Sequence, residues 1–136
     1  MILLDTSFLV SYFNIRDENH LKAAHIMKSI NKGVYGDIYL TDYIFDEFVT
    51  VIFIRLKNLI KTVKLGSELK ESLQLELIDE ETFEKSWFIF KNQKDTFLSF
   101  TDCSSLAIMQ KNKIKNIATF DKDFEKVNDI NVVSCQ

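Results

Sequence analysis

The chain has 136 residues, of which 46% are apolar and 27% charged, with a net charge of −3; this excludes a disordered or collagen-like chain and a global basic field drawing it to nucleic acid. Its length suits one ordinary domain that buries about two-thirds of its unfolded surface. No proline and only three glycines leave few strong breakers, which argues against a turn-dense sandwich or barrel and for helices joined by short polar loops.

Ile2, Leu3 and Leu4 form a short continuous apolar run, the pattern of a central strand covered on both faces. The run is too short and too quickly ended by Asp5 for the core of a signal peptide. Thr6 and Ser7 follow, and their hydroxyls could cap a short helix carrying Phe8, Leu9, Tyr12 and Phe13. From Glu18 to Asn31, Ala23, Ile26, Met27 and Ile30 recur at helical spacing, and Gly33 is placed to stop that helix. Ile38, Tyr39 and Leu40 read as a second strand. Thr41 or Asp42 then caps a long helix through about Lys57 that is apolar on nearly every side. Leu59 to Leu73 continues as a helical piece jointed near Gly66, and Leu75, Leu77 and Ile78 alternate as a short strand. Glu80 to Asn92 is helical with Phe83, Trp87 and Phe90 on one face; Thr101 to Lys111 is a further helix. Ile117 and Ala118 mark a fourth strand, and Ile130, Val132 and Val133 a fifth. No run reaches the length of a membrane span, since even Val49 to Leu56 ends at charged residues.

Strands alternating with helices indicate an α/β sandwich with a mostly parallel sheet, because parallel neighbours need crossovers and helices usually supply them. In such sheets ligands bind outside the carboxyl ends of the strands. Asp5 ends strand one, Asp121 ends strand four, and Asp102 opens a helix after the apolar stretch Phe97 to Phe100. Glu47 completes a set of four: its same-face neighbours Tyr43, Ile44, Val51 and Ile54 are apolar or aromatic, so a charge there demands compensation. Asp46 instead shares its row with Asp42, Thr50 and Lys57, an ordinary solvated face.

Converging carboxylates repel one another and raise some of their pKa values. A divalent ion removes that cost, and Mg²⁺ or Mn²⁺ prefers oxygen ligands, keeps several waters and is typically held by a few carboxylates beside a phosphate. Hydrolysis of a nucleic-acid phosphodiester follows as the reaction class. Taken singly each acid has a plainer reading: Asp5 ends a strand, Asp102 complements a helix dipole and Asp121 makes a turn.

At these residues the sequence resembles the PIN-domain ribonucleases, in particular the small VapC-like toxins and their stand-alone relatives. ILLDTS, TDYIFDEF, FTDCSSLAIM and ATFDKDF fall in the family's order across nearly the whole chain. The resemblance implies a three-layer α/β/α sandwich, a Mg²⁺ or Mn²⁺ site and cleavage of single-stranded RNA, with Asp5, Glu47, Asp102 and Asp121 as the acidic quartet. Asp123 is either an extra metal ligand or a cap of the turn before Phe124, and Thr6, Ser7 and Thr119 match small hydroxyl positions beside the metal. A toxin role would bring an antitoxin protein as partner. The competing reading is a PIN-like module that binds RNA or protein without cutting; a strand-end phosphatase is disfavoured because its second aspartate is Ser7 here.

Only two arginines, Arg16 and Arg55, are present, so lysines are expected to carry phosphate contacts: Lys57, Lys61 and Lys64 if the helix joint turns them inward, with Tyr43 as a base-stacking surface. His20 and His25 are five apart and form no i, i+4 metal pair. Cys103 lacks a histidine partner and reads as a packed thiol; with Cys135 it forms no disulfide framework or zinc spacing, and two reduced thiols suit a cytoplasmic protein. The helices Asp42 to Lys57 and Glu80 to Asn92 carry more apolar surface than one core covers, Phe53 and Phe88 included, which with the resemblance points to a homodimer.

Overall fold

In the computed structural model, which describes residues 1–133, the strand predicted at the N-terminus is β1 (Ile2–Leu4). It lies at the centre of a five-stranded sheet of order β3-β2-β1-β4-β5 in which every pairing is parallel. Its side chains are almost fully buried, as a strand covered on both faces requires. Ile2 pairs with Ile38 of β2 (Ile38–Thr41) and with Asn116 of β4 (Asn116–Ala118), and Leu4 pairs with Ala118. This register sets the carboxyl ends of β1 and β4 side by side. The edges are β3 (Leu75–Glu76) and β5 (Asn131–Val132).

Helices α1 (Thr6–Phe13) and α2 (His20–Asn31) connect β1 to β2, and α3 (Asp42–Leu56) and α4 (Leu59–Ser72) connect β2 to β3. The chain then returns across the sheet to β4 through α5 (Glu80–Lys91) and α6 (Phe100–Asn112). Right-handed crossovers stepping in opposite directions along a sheet cover its opposite faces, which yields the α/β/α layering. Phe8, Phe48 and Phe124 are fully buried in the one core these layers share with the sheet. No helix among the described residues is long and apolar enough to cross a membrane.

Local chemistry explains most boundaries. The Thr41 hydroxyl accepts from Ile44 N at 3.1 Å and caps α3, and Lys57, at φ 51°, ends it in the left-handed conformation. Gly33, at φ 81°, follows α2. Three expectations are corrected. Thr6 and Ser7 do not cap α1: the cap position belongs to Asp5, and Thr6 is already the first helical residue. There is no joint at Gly66; α4 runs straight through it because the missing side chain lets Phe45 and Val49 of α3 pack against its backbone, and the break falls at Lys57–Asn58 instead. The strand expected through Ile78 ends at Glu76, because the Ile78 amide leaves the ladder to donate to the Asp42 carboxylate at 3.0 Å. Cys135 lies outside the described residues.

A Cβ at Gly66 would meet Val49 Cγ1 at 3.4 Å and Phe45 Cζ at 3.5 Å, ordinary contact for a methyl and none to spare for more. Gly66→Ala should therefore stabilise the domain by up to about 1 kcal/mol through helix propensity, whereas Gly66→Leu should cost about 1–3 kcal/mol by prising α4 from α3. Urea unfolding of the two variants checks the opposite signs.

Candidate active site

Asp5 sits where β1 hands over to α1, and its amide extends the ladder by donating to the Ala118 carbonyl at 3.0 Å. Its carboxylate is not spent on capping the helix. Oδ2 accepts from the Thr119 hydroxyl at 2.7 Å and the Ser7 hydroxyl at 2.9 Å, and Oδ1 is buried with no partner among the described residues. The neighbouring Thr6 hydroxyl is likewise buried and unpartnered. Ser7 also accepts from the Phe120 amide at 2.9 Å, and Thr119 accepts from the Asp121 amide at 3.0 Å. The two hydroxyls thus tie the end of β1 to the segment after β4. Burial is the main cause that raises the Asp5 pKa; the Thr119 and Ser7 hydroxyls and the nearby Thr6 amide oppose it, and the charge of Glu47 adds to it.

The other three acids arrive from three different elements. Asp102 is in the first turn of α6, where a capping box joins it to Ser99: Oδ2 accepts from Ser99 N at 2.9 Å while Asp102 N donates to the Ser99 hydroxyl. Its other oxygen accepts nothing from the described residues. Burial first, then the charges of Asp5 and Asp121, push its pKa up to about 7. Asp121 precedes the 3₁₀ turn Lys122–Lys126 and gives Oδ1 to the amide of Asp123 at 2.9 Å. Glu47 lies half-buried in α3, one and two turns before Val51 and Arg55 on the same face. Asp5, Glu47, Asp102 and Asp121 all line one open cleft of about 320 Å³, and Thr6, Ser7, Val51 and Arg55 line it with them. Asp46 is exposed and outside it. Ile54, expected on the row of Glu47, is 65% exposed and lines a separate apolar groove between α3 and α4.

The remaining candidates sit elsewhere. Asp123 spends both oxygens on structure, accepting from Phe97 N at 3.0 Å and pairing with Lys126 at 3.1 Å, so it fastens the loop before α6 and does not line the cleft. Lys57, Lys61 and Lys64 are exposed and none lines the cleft, since the inward bend they needed does not exist. Tyr43 packs against Phe100 at 6.3 Å between ring centroids, beside the cleft and outside its lining. Cys103 is buried, and burial followed by the charge of Asp102 pushes its thiol up to about 11, so it stays protonated and unreactive. His20 meets the Ser11 carbonyl at 3.0 Å and His25 is exposed.

Two charged residues of the cleft were not among the site residues expected from the sequence. Asp17 accepts from the Ser11 hydroxyl at 2.9 Å and the Asn19 amide at 2.8 Å, folding the α1–α2 loop over the site; its signal was the Asp-Glu-Asn turn before α2. Arg55 was counted only as a scarce arginine, although its i, i+8 relation to Glu47 marked the shared face.

These residues fit a hard divalent cation. A buried carboxylate oxygen and a hydroxyl without partners, beside three further acids, offer the oxygen-only surroundings that Mg²⁺ or Mn²⁺ prefers. Among the described residues no three acids close into a ready-made ligand cage.

The raised pKa of Asp102 has a consequence for stability without metal. Its folded-state value of about 7 exceeds the ordinary 3.8, so the folded protein holds that proton more tightly than the unfolded one. The stabilisation is complete below about pH 4 and lost as pH rises through about 7. In chelator, the melting temperature should fall between about pH 5 and pH 8, and Asp102→Asn should flatten that fall and raise the midpoint at pH 8 by roughly 3 °C or more. Thermal melts across pH read both effects; a steep fall kept in the variant would assign it to other groups.

A family model described as PIN domain matches residues 2–130. The VapC ribonuclease of Archaeoglobus fulgidus is 27% identical over 119 residues, 85% of this chain and 74% of that protein. The 23S rRNA-specific endonuclease VapC20 of Mycobacterium tuberculosis is 25% identical over 132 residues, 97% of this chain and 98% of that one. Among solved structures, the fold is similar to that of M. tuberculosis VapC20, described as a sarcin-ricin loop cleaving toxin, with a TM-score of 0.85 at 23% identity over 97% of this chain and 98% of that chain. It is also similar to FitAcB from Neisseria gonorrhoeae, with a TM-score of 0.68 at 18% identity over 98% and 97% of the two chains.

Proposed function

The chain belongs to the PIN domain family, and from that premise we propose that it is a divalent-metal-dependent endoribonuclease, hydrolysing phosphodiester bonds of single-stranded or structured RNA as the toxin of a toxin–antitoxin pair in the cytoplasm. One observation carries the reading: four acids from four separate elements line a single cleft around the Asp5 carboxylate, one of whose oxygens is buried without a partner. A set that only ended strands and capped helices would have no reason to converge. The names of the relatives, a VapC ribonuclease and an rRNA-specific endonuclease, support the same substrate class.

In this reading Asp5, Glu47, Asp102 and Asp121 would hold Mg²⁺ or Mn²⁺. The ion, when bound, supplies Lewis-acid stabilisation of the phosphoryl charge and a water of lowered pKa. Ser7 and Thr119 fix the Asp5 carboxylate by donating to Oδ2, so that Oδ1, which has no partner among the described residues, would be the oxygen offered to a cation. Ser99 holds Asp102 through one oxygen and leaves the other for the site. Glu47 comes from a capped, rigid helix, so its reach is set by the backbone.

Labelled single-stranded RNA should be cut in Mn²⁺ and left intact in chelator. Asp5→Asn, Asp102→Asn and Glu47→Gln should each lower the rate by about 100-fold or more while the far-ultraviolet circular dichroism stays that of a folded protein, because each removes a ligand; Asp46→Asn should cost less than about threefold. RNA binding without cutting by the wild-type protein would favour the non-catalytic module.

We infer further that the protein is a homodimer in solution, and the toxin reading brings an antitoxin that must cover or distort the cleft. Phe53 is 44% exposed, Trp87 48% and Phe88 55%. Helix α4 packs on α3 at Gly66 and leaves this surplus uncovered. Light scattering at micromolar concentration should give twice the 15.9 kDa chain mass, and Phe53→Glu with Phe88→Glu should reduce it to one; a monomeric wild type would overturn the dimer and leave the catalytic reading standing.

A further inference from the structure

The acidic cleft poses an electrostatic problem that its own metal does not solve: an RNA strand must bring further phosphates past five carboxylates, counting Asp17. The only cation in the lining is Arg55. It stands two helical turns after Glu47 on α3, about 12 Å along the axis, and lines the same cleft as the acids. Among the described residues it makes no ion pair, although Asp17 and Glu47 line the same cleft. Its planar fork of five donors is therefore free for a phosphate, which it can hold bidentately.

On the far side of Asp121 the surface continues. A second cavity of about 530 Å³ shares Asn19, Phe120 and Asp121 with the acidic cleft and is lined by Lys22 and Lys122. Both lysines are exposed and make no ion pair among the described residues, although Glu18 and Glu125 lie in the same wall. Arg55 thus lines the acidic cleft and the two lysines the cavity that adjoins it through Asn19, Phe120 and Asp121, and the two cavities together make one depression.

We propose that this depression is the track of the RNA strand, with Arg55 gripping a phosphate on one side of the bond to be cut and Lys22 with Lys122 gripping the backbone on the other. The assignment rests on the ribonuclease reading and goes beyond it by fixing which surface the substrate crosses. It replaces the exposed lysines of α4 as the electrostatic contact. Arg55, Lys22 and Lys122 are positioning residues: they hold the strand over the acids and take no part in bond breaking.

The test is the salt dependence of binding, measured by fluorescence anisotropy with a short mixed-sequence single-stranded RNA on the full-length Asp102→Asn protein, which keeps the RNA intact. Each phosphate contact on a single strand contributes about 0.7 to the slope of log affinity against log salt. Adding Arg55→Ala, Lys22→Ala and Lys122→Ala together should lower the slope by about 2 and weaken binding about tenfold or more at 0.1 M salt. Arg55→Lys alone should keep its share of the slope and, in the otherwise wild-type enzyme, slow cleavage, since a lysine retains the charge and loses the fork. An unchanged slope in the triple variant would overturn the track, as would the same loss produced by Lys61→Ala with Lys64→Ala instead. The two readings fail separately: a wild-type protein that cuts RNA while the triple variant binds normally removes only the track, whereas one that neither binds nor cuts RNA removes the ribonuclease reading and the track with it.

Discussion

Burying a carboxylate is costly unless its oxygens are matched, and Asp5 is buried at the middle of the sheet edge with only one oxygen matched. The hydroxyls of Ser7 and Thr119 satisfy Oδ2 and, through the amides of Phe120 and Asp121, bind the end of β1 to the segment leaving β4. The same four groups hold the sheet edge together and aim a carboxylate. An apolar side chain here would avoid the cost of a buried carboxylate with one oxygen unmatched.

Around Asp5, two of the other acids share its pattern, one carboxylate oxygen accepting a local hydrogen bond and the other accepting none from the described residues. Asp102 gives Oδ2 to the capping box and Asp121 gives Oδ1 to its turn. Structural and functional readings of these residues are therefore compatible, because the hydrogen bond that caps a helix also fixes the rotamer of the free oxygen. Asp123 shows the contrast, since both its oxygens are engaged and it holds a loop in place. Helix α3 works as a ruler in the same design, setting Glu47, Val51 and Arg55 along the cleft by backbone periodicity.

The apolar surface outside the core follows from the layering. Helix α5 turns its small residues Thr82 and Ser86 inward, so that it can approach α6 closely, and its aromatic residues Phe83, Trp87 and Phe90 remain partly outside as a cluster with Phe100. The face of α5 richest in aromatic area is thus partly exposed, the reverse of the usual amphipathic arrangement in which the apolar face is the buried one.

Periodicity and short apolar runs determined the order and type of the five strands and six α-helices, because a parallel α/β sandwich demands continuous strands alternating with crossover helices; the short 3₁₀ helix Lys122–Lys126 carried no such signal. Strand ends and helix starts also placed Asp5, Asp102 and Asp121 at one edge, and helix phase chose Glu47 over Asp46. Tertiary structure alone decided the rest. Whether Asp123 faced the site or a loop depended on Phe97, 26 residues away. Whether α4 bent at Gly66 depended on the rings and methyls that α3 set against it. That Arg55 lines the acidic cleft while Lys61 and Lys64 of α4 lie outside it could not be read from the sequence, because only folding fixes which side chains stand across from one another.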